Sequence, residues 1–186
     1  MSNSKIDPIA ILQKYYDPKS ETYRILMTHC EMVLQKALSL AEKVKHLNPD
    51  VGFIEEAALL HDIGIMFTDS PNIGCYGDKA YIFHGVLGRE LLEKEGYPKH
   101  ALVCERHVGV GLSQDDIVQQ NLPLPQRDML PLSLEEQIIC FADKFYSKKD
   151  NDLRKERTVT EIREKLVRFG GHKADKFDEW IEFFGL

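Results

Sequence analysis

The chain has 186 residues, 43% hydrophobic and 29% charged, so one folded domain with a substantial core is expected. With 30 acidic and 24 basic residues the formal net charge is −6, which argues against a broad binding surface for DNA or RNA. No apolar run approaches the roughly 20 residues that cross a bilayer, and the amino terminus has no hydrophobic export segment. We therefore expect a cytoplasmic protein with neither a membrane nor a nucleic-acid polymer as partner.

A long amphipathic helix is predicted near the start of the chain. Apolar residues recur at three- and four-residue spacing over about residues 21–45, after a short helix over residues 9–16. His29 lies at the edge of that apolar stripe. Its position makes it a candidate for a side chain that faces the interior of the bundle.

The next predicted core helix, residues 53–61, ends in a cluster of reactive residue types. His61 and Asp62 follow four apolar residues, and Gly64 leaves the chain free to turn after them. An imidazole beside a carboxylate at a helix end can present both side chains to one ion. Residues 65–80 have no helical period, and loops of this length are often binding loops or lids.

Helices and turns alternate through the rest of the chain, and no alternating strand pattern appears. His84 opens a helix, Pro98 begins another that ends near His107, and Ser133 to Glu136 has the spacing of a capping box. The helix after that box is expected to run to about residue 147. A charged, solvated break over residues 148–157 precedes two more amphipathic helices. The fold is predicted to be all-α, a bundle of about seven to nine helices.

Six histidine and aspartate residues at the ends or edges of these helices form a candidate metal centre. They are His29, His61, Asp62, His84, His107 and Asp143. Neutral imidazole and carboxylate suit divalent iron, manganese, zinc, nickel or cobalt, and a helical bundle can bring such side chains together. A mononuclear cage needs only four of the six. The two remaining histidines, His84 and His107, indicate a second ion, with Asp62 as the bridge. We therefore expect two bound ions, with a single ion in the four-residue cage as the alternative.

A centre of this kind predicts chemistry on a phosphorylated substrate. Two divalent ions about 3.5–4 Å apart generate hydroxide near neutral pH and hold the oxygens of a phosphoryl group. Asp62 would then be essential for catalysis. Basic side chains must hold the remaining phosphate oxygens. Arg106 and Lys144, each next to a ligand, are the favoured candidates, and Lys79 and Arg89 are two more.

The motif order resembles a known family. His29…His61-Asp62…Asp143 is similar to the H…HD…D signature of the HD-domain superfamily of metal-dependent phosphohydrolases, and Leu60-His61-Asp62-Ile63-Gly64 resembles its His-Asp-Ile-Gly subgroup. His84 and His107 resemble the extra histidines of the H…HD…H…H…D branch, which implies a dinuclear centre. The Ala142-Asp143-Lys144 segment is also similar to one in small bacterial hydrolases that split diadenosine tetraphosphate symmetrically. The resemblance covers about residues 22–147 and implies one HD domain over residues 1–186, with a helical extension over about 158–186.

This resemblance implies a hydrolase of a nucleotide or another phosphorylated small molecule that acts through hydroxide held by the metal. The lysine often found soon after the HD pair is absent, since Ile65-Met66 stands there, and this departure leaves the substrate open. Di-iron HD-domain oxygenases use the same six ligands, and a non-catalytic HD signalling module is a third interpretation. The aromatic residues of the last helix either cover the core or form the surface of a homodimer.

Overall fold

The computed structural model describes residues 6–186, apart from the side chain of residue 150. Nine α-helices and one short hairpin make up the fold of these residues, which confirms the predicted all-α class. The helices are α1 (Pro8–Gln13), α2 (Glu21–Lys43), α3 (Val51–Leu60), α4 (His84–Lys94), α5 (Pro98–Arg106), α6 (Gln114–Gln119), α7 (Leu134–Asp143), α8 (Val159–Val167) and α9 (Gly171–Phe184). Within the described chain, no helix combines the length and apolarity that a membrane span requires.

Helix α2 is the central element of the bundle. It begins at the N-cap Ser20, whose hydroxyl accepts a hydrogen bond from the amide of Tyr23 at 3.1 Å. Its buried residues recur every three or four positions and therefore share one face. They are Ile25, Leu26, His29, Cys30, Val33, Ala37, Leu40 and Ala41. That face packs on α3 and α7, so His29 lies inside the bundle between the helices that carry the other ligands.

The last two helices belong to the same core as α7. The rings of Phe177, Trp180 and Phe184 on α9 lie 5.2, 5.9 and 5.1 Å from the ring of Phe141 on α7. All four side chains are almost inaccessible to solvent, and burial of each contributes on the order of 2 kcal/mol. The aromatic face of α9 therefore covers the core, while Phe183 stays exposed.

Residues 65–80 fold differently from the open loop that was expected. A 3-10 helix, Ile63–Phe67, leads into an antiparallel hairpin of strands β1 (Asp69–Ser70) and β2 (Cys75–Tyr76). Strands of two residues are too short to show alternation, which explains why the sequence gives no strand signal. Helix α7 likewise ends at Asp143, about four residues before its predicted end.

Gly64 lets the Ile63–Phe67 turn touch α4. A Cβ atom at Gly64 would lie 2.2 Å from the carbonyl oxygen of His84 and 2.4 Å from the amide nitrogen of Gly88. The chain turns here as expected, in the 3-10 helix Ile63–Phe67, but Gly64 has no positive φ, so the turn does not require the left-handed backbone that glycine allows. The missing side chain matters because two backbones meet there. This contact holds the His61-Asp62 pair against the start of α4.

A second polar connection joins α6 to α9 through Asp116. Its carboxylate closes the capping box with Ser113 and lies 2.5 Å from Lys173 Nζ and 2.7 Å from His172 Nε2. Burial opposes ionisation of Asp116. Hydrogen bonds from Lys173 and Ser113 outweigh burial and hold the pKa of this carboxyl well below its usual range.

Substitution of Gly64 by alanine is expected to lower the free energy of unfolding by about 3 kcal/mol, because the new Cβ overlaps backbone atoms that cannot move independently. Gly52→Ala is the matched control, since a Cβ there meets only Asp50 Oδ1 at 3.5 Å. Urea denaturation measures the free energy of unfolding of both variants and of wild type. Equal stability of Gly64→Ala and wild type would contradict the close approach.

The Asp116 connection predicts a pH-dependent stability. Because the folded-state pKa lies below the unfolded value of about 4, ionised Asp116 stabilises the fold above about pH 4, and this contribution is lost as the pH falls further. Asp116→Asn should cost about 2 kcal/mol at pH 7, and the difference from wild type should shrink below pH 4. Asp115→Asn, an exposed neighbour in the same turn, is the control in chemical denaturation at several pH values. A difference that is constant from pH 7 to pH 3 would refute this role.

Candidate metal centre

Four of the predicted ligands meet where α2, α3 and α7 pack together. His29 Nε2 lies 3.1 Å from Asp62 Oδ2 and 3.0 Å from Asp143 Oδ1. His61 Nε2 lies 3.1 and 3.5 Å from the same two oxygens. One potential ligand atom from each of the four residues lies within 4.8 Å of the others. These distances define a first group with two imidazoles and two carboxylates.

The other two predicted ligands form a second group around the opposite oxygen of Asp62. His84 Nε2 and His107 Nε2 lie 3.5 and 3.4 Å from Asp62 Oδ1, and 3.1 Å from each other. One potential ligand atom from each of these three residues also lies within 4.8 Å of the others. Asp62 is therefore shared, with Oδ2 facing the first group and Oδ1 facing the second.

Backbone carbonyls orient three of the imidazole rings. His61, His84 and His107 each place Nδ1 2.7 Å from the carbonyl oxygen three residues earlier in the chain. A carbonyl can only accept, so Nδ1 donates and Nε2 is the nitrogen left to bind an ion. His61 and His107 stand just past the ends of α3 and α5, where such carbonyls have no helical partner. Local helix ends thus set both the ring direction and the tautomer.

The polar atoms at the centre of the site fit a metal ion. Both nitrogens of His29, Nε2 of His61 and both oxygens of Asp62 are buried and have no hydrogen bond of ordinary geometry with the described residues, although Lys148 forms an ion pair with Asp62 Oδ2. Buried polar atoms in folded proteins are almost always paired, so a group of orphans requires an explanation. Imidazole nitrogen and carboxylate oxygen are the donors that divalent transition metals accept. The residues present therefore fit divalent metal binding.

The charges around the site keep both aspartates ionised. Burial opposes ionisation of Asp62, but the charges of Lys148 and His61 outweigh it and hold the pKa of Asp62 well below its usual range. The pKa of Asp143 is lowered in the same way, chiefly by Lys144. Burial lowers the pKa of His84 to about 3, so its ring is neutral at physiological pH. Anionic carboxylate and neutral imidazole are the forms that bind metal.

Lys148 is a site residue that the sequence analysis missed. Its Nζ lies 2.5 Å from Asp62 Oδ2, and its side chain is only 13% exposed. The charged run over residues 148–157 indicated a solvated segment, which is wrong for Lys148. Because α7 ends at Asp143, the chain turns back there and brings this lysine over the ligands. The sequence feature that could have indicated this role is the position of Lys148, five residues after the predicted ligand Asp143.

A cavity of about 440 Å³ opens beside the second group of ligands and reaches α8. His84, His107 and Asp143 form part of its wall. The basic residues that line it are Lys144, Lys148, Lys149, Arg157, Lys165 and Lys173. Asp143 is the one carboxylate among the described lining residues. The cavity therefore combines a largely apolar wall with basic side chains next to the candidate metal centre, and residues 65–80 do not line it.

The basic residues predicted from the sequence have different surroundings. Lys144 lines the cavity, and its Nζ lies 2.8 Å from Asp143 Oδ2 and 3.0 Å from the His107 carbonyl. Arg106 binds both oxygens of Glu136 at 2.9 Å and does not line the cavity. Lys79 and Arg89 also pair with carboxylates away from it. The geometry gives Lys144 a place at the site and gives the predicted role of Arg106 no support.

The shared position of Asp62 predicts separable losses of metal. His84→Ala removes a ligand from the second group only, so metal bound per chain should fall by about half, from about two ions to about one. His29→Ala should weaken the first group instead. Elemental analysis after dialysis against limiting Mn²⁺ measures both, with the exposed His46→Ala as control. If His84→Ala binds as many metal ions per chain as wild type, His84 is not a ligand of the centre.

Comparison with known proteins places the site in a family context. An uncharacterized protein of Methanocaldococcus jannaschii is 38% identical over 121 residues, which are 63% of this chain and 64% of that protein. A tRNA (cytidine(56)-2'-O)-methyltransferase of Thermoplasma volcanium is 27% identical over 84% of this chain and 41% of its own length. The corresponding methyltransferase of Picrophilus torridus is 30% identical over 66% of this chain and 32% of its own length.

The chain thus spans less than two thirds of each of these relatives. No solved structure matches the chain. The family model of the HD domain matches residues 26–147, a range that contains all six converging ligands. This chain belongs to the HD-domain family.

Proposed function

We propose that the protein is a metal-dependent phosphohydrolase that acts on a nucleotide or another phosphorylated small molecule. The observation that carries this proposal is the Asp62 carboxylate, shared by two groups of histidines beside a cavity lined with basic residues. Ligands suited to two divalent ions and a basic space for an anion are the two requirements of metal-assisted phosphoryl transfer.

The candidate ligands of the chain would bind two metal ions, one in each group. His29, His61 and Asp143 would hold one ion and His84 and His107 the other, with Asp62 bound to both. Two divalent ions, when bound, polarise phosphoryl oxygens and lower the pKa of water.

Two lysines would help to place the substrate. Lys148 carries its ammonium group to the edge of the centre, where it would bind a phosphate oxygen of the substrate. Lys144 holds Asp143 and the carbonyl of His107 in place, so it positions one ligand from each group.

The relatives define the limits of the proposal. Two of them are named for methyl transfer to tRNA, but this chain covers only 41% and 32% of their lengths. Their names place tRNA among the compounds to be tested and assign nothing to this chain. The similarity to symmetrical diadenosine-tetraphosphate hydrolases rests on the Ala142-Asp143-Lys144 segment, so that compound is also one candidate among several.

Purified protein loaded with Mn²⁺ is expected to hydrolyse members of a panel of nucleotides, dinucleoside polyphosphates, sugar phosphates and tRNA. Asp62→Ala should lower kcat/KM by on the order of a thousandfold, because it removes the carboxylate that, among the described residues, reaches both groups. Asp69→Ala, an exposed aspartate outside the cavity, is the control. Phosphate release and chromatography of the products are the measurements.

Three results would contradict the proposal. Activity that survives in Asp62→Ala would show that another site hydrolyses the substrate. Oxygen consumption by iron-loaded protein, without hydrolysis of any phosphate compound, would favour the oxygenase alternative. Protein that binds no divalent metal under any loading condition would favour a signalling module.

A further inference from the structure

The wall of the cavity opposite the ligands is formed by α8, which lies outside the HD match at residues 26–147. Ile162, Lys165 and Leu166 recur at three- and four-residue spacing, and all three line the cavity. Ile162 and Leu166 are buried, which marks this as the inward face of the helix. A lysine between them therefore points its charge toward the cavity rather than away from the bundle.

Lys165 forms no hydrogen bond or ion pair with the described residues, and it is exposed to solvent as well as lining the cavity. The carboxylate that acts on its charge, Asp143, is already paired with Lys144. Desolvation in the cavity wall lowers the pKa of its ammonium group, and the charges of Arg157 and Lys144 lower it further. A lysine close to other cations attracts an anion more strongly than an isolated surface lysine does.

Arg157 stands beside Lys165 in the same wall. Its Nη1 donates to the carbonyl oxygens of Tyr146 at 3.1 Å and Lys144 at 3.3 Å, which fixes the guanidinium without neutralising it. A guanidinium has five N–H donors and the two carbonyls use only those of Nη1, so Nε and Nη2 keep three donors for phosphate oxygens. Three of the four other lysines of the cavity already pair with a carboxylate, and the fourth, Lys149, is exposed. The three pairs are Lys144 with Asp143, Lys148 with Asp62 and Lys173 with Asp116.

We propose that Arg157 and Lys165 form a second anion subsite that holds a phosphate other than the one that reacts at the metal centre. The substrate class that fits both places carries at least two phosphoryl groups in one molecule. This inference rests on the proposed function for the position of the reacting phosphate. It assigns substrate recognition to the helical extension and the chemistry to the HD ligands.

Binding of inorganic anions to the full chain tests the subsite without relying on turnover. Calorimetry would compare orthophosphate with tripolyphosphate, both for protein loaded with Mn²⁺ in excess over the anion and for protein stripped with chelator. Wild type is expected to bind tripolyphosphate more tightly than orthophosphate. Lys165→Gln should weaken tripolyphosphate binding about tenfold and leave orthophosphate binding unchanged, since it removes one charge-assisted contact.

Arg168→Gln is the matched control, because it makes a comparable loss of charge just past the end of α8 at an exposed residue that does not line the cavity. Equal tripolyphosphate affinity of Lys165→Gln and wild type would overturn the subsite. Equal weakening of both anions, a matching loss in Arg168→Gln, or no tripolyphosphate binding by wild type would also overturn it.

The two proposals fail separately. If the loaded enzyme hydrolyses no phosphate compound but the tripolyphosphate affinity depends on Lys165, the subsite stands and the hydrolase assignment fails. If hydrolysis is found and Lys165→Gln has the same tripolyphosphate affinity as wild type, the hydrolase assignment stands and the subsite fails.

Discussion

The site depends on one buried carboxylate that belongs to two groups of ligands at once. Asp62 is fully buried, and its two oxygens face different pairs of imidazoles. An ionised carboxylate in the interior is costly unless positive charge surrounds it. Lys148 and His61 supply part of that charge in the protein itself. The buried imidazole nitrogens and carboxylate oxygens that lack a hydrogen bond among the described residues are donors that divalent cations accept, so the interior of the bundle fits metal binding.

Helix ends and one backbone contact give the centre its geometry. His61 and His107 stand at the ends of α3 and α5, where a free carbonyl orients each ring. His84 begins α4, and the missing side chain of Gly64 brings that helix against the turn after Asp62. Three of the six candidate ligands are therefore oriented by backbone carbonyls, which move less than side chains do. Such rigidity suits a site that must hold its ligands before substrate arrives.

The helical extension contributes to the cavity as well as to the core. The aromatic face of α9 covers Phe141 on α7, which fixes α8 over the opening beside the ligands. The wall that carries Arg157 and Lys165 thus depends on aromatic packing outside the matched HD segment. We infer that the HD portion supplies the chemistry and that the extension selects the substrate, a division that would let substrates change without loss of the metal centre.

Much of this protein was predictable from its sequence because helices and their ligands follow local rules. Periodicity and capping residues predicted the all-α class, and the residue types of His29, His61, Asp62, His84, His107 and Asp143 predicted a metal centre. What only the tertiary structure decided depends on contacts between distant segments. Gly64 allows the backbone of its turn to contact α4, and Arg106 forms an ion pair with Glu136. Lys148, in a segment predicted to be solvated, contacts the buried carboxylate of Asp62. A charged side chain looks the same in sequence whether it faces water or a buried carboxylate, because its partner is set by the path of the chain.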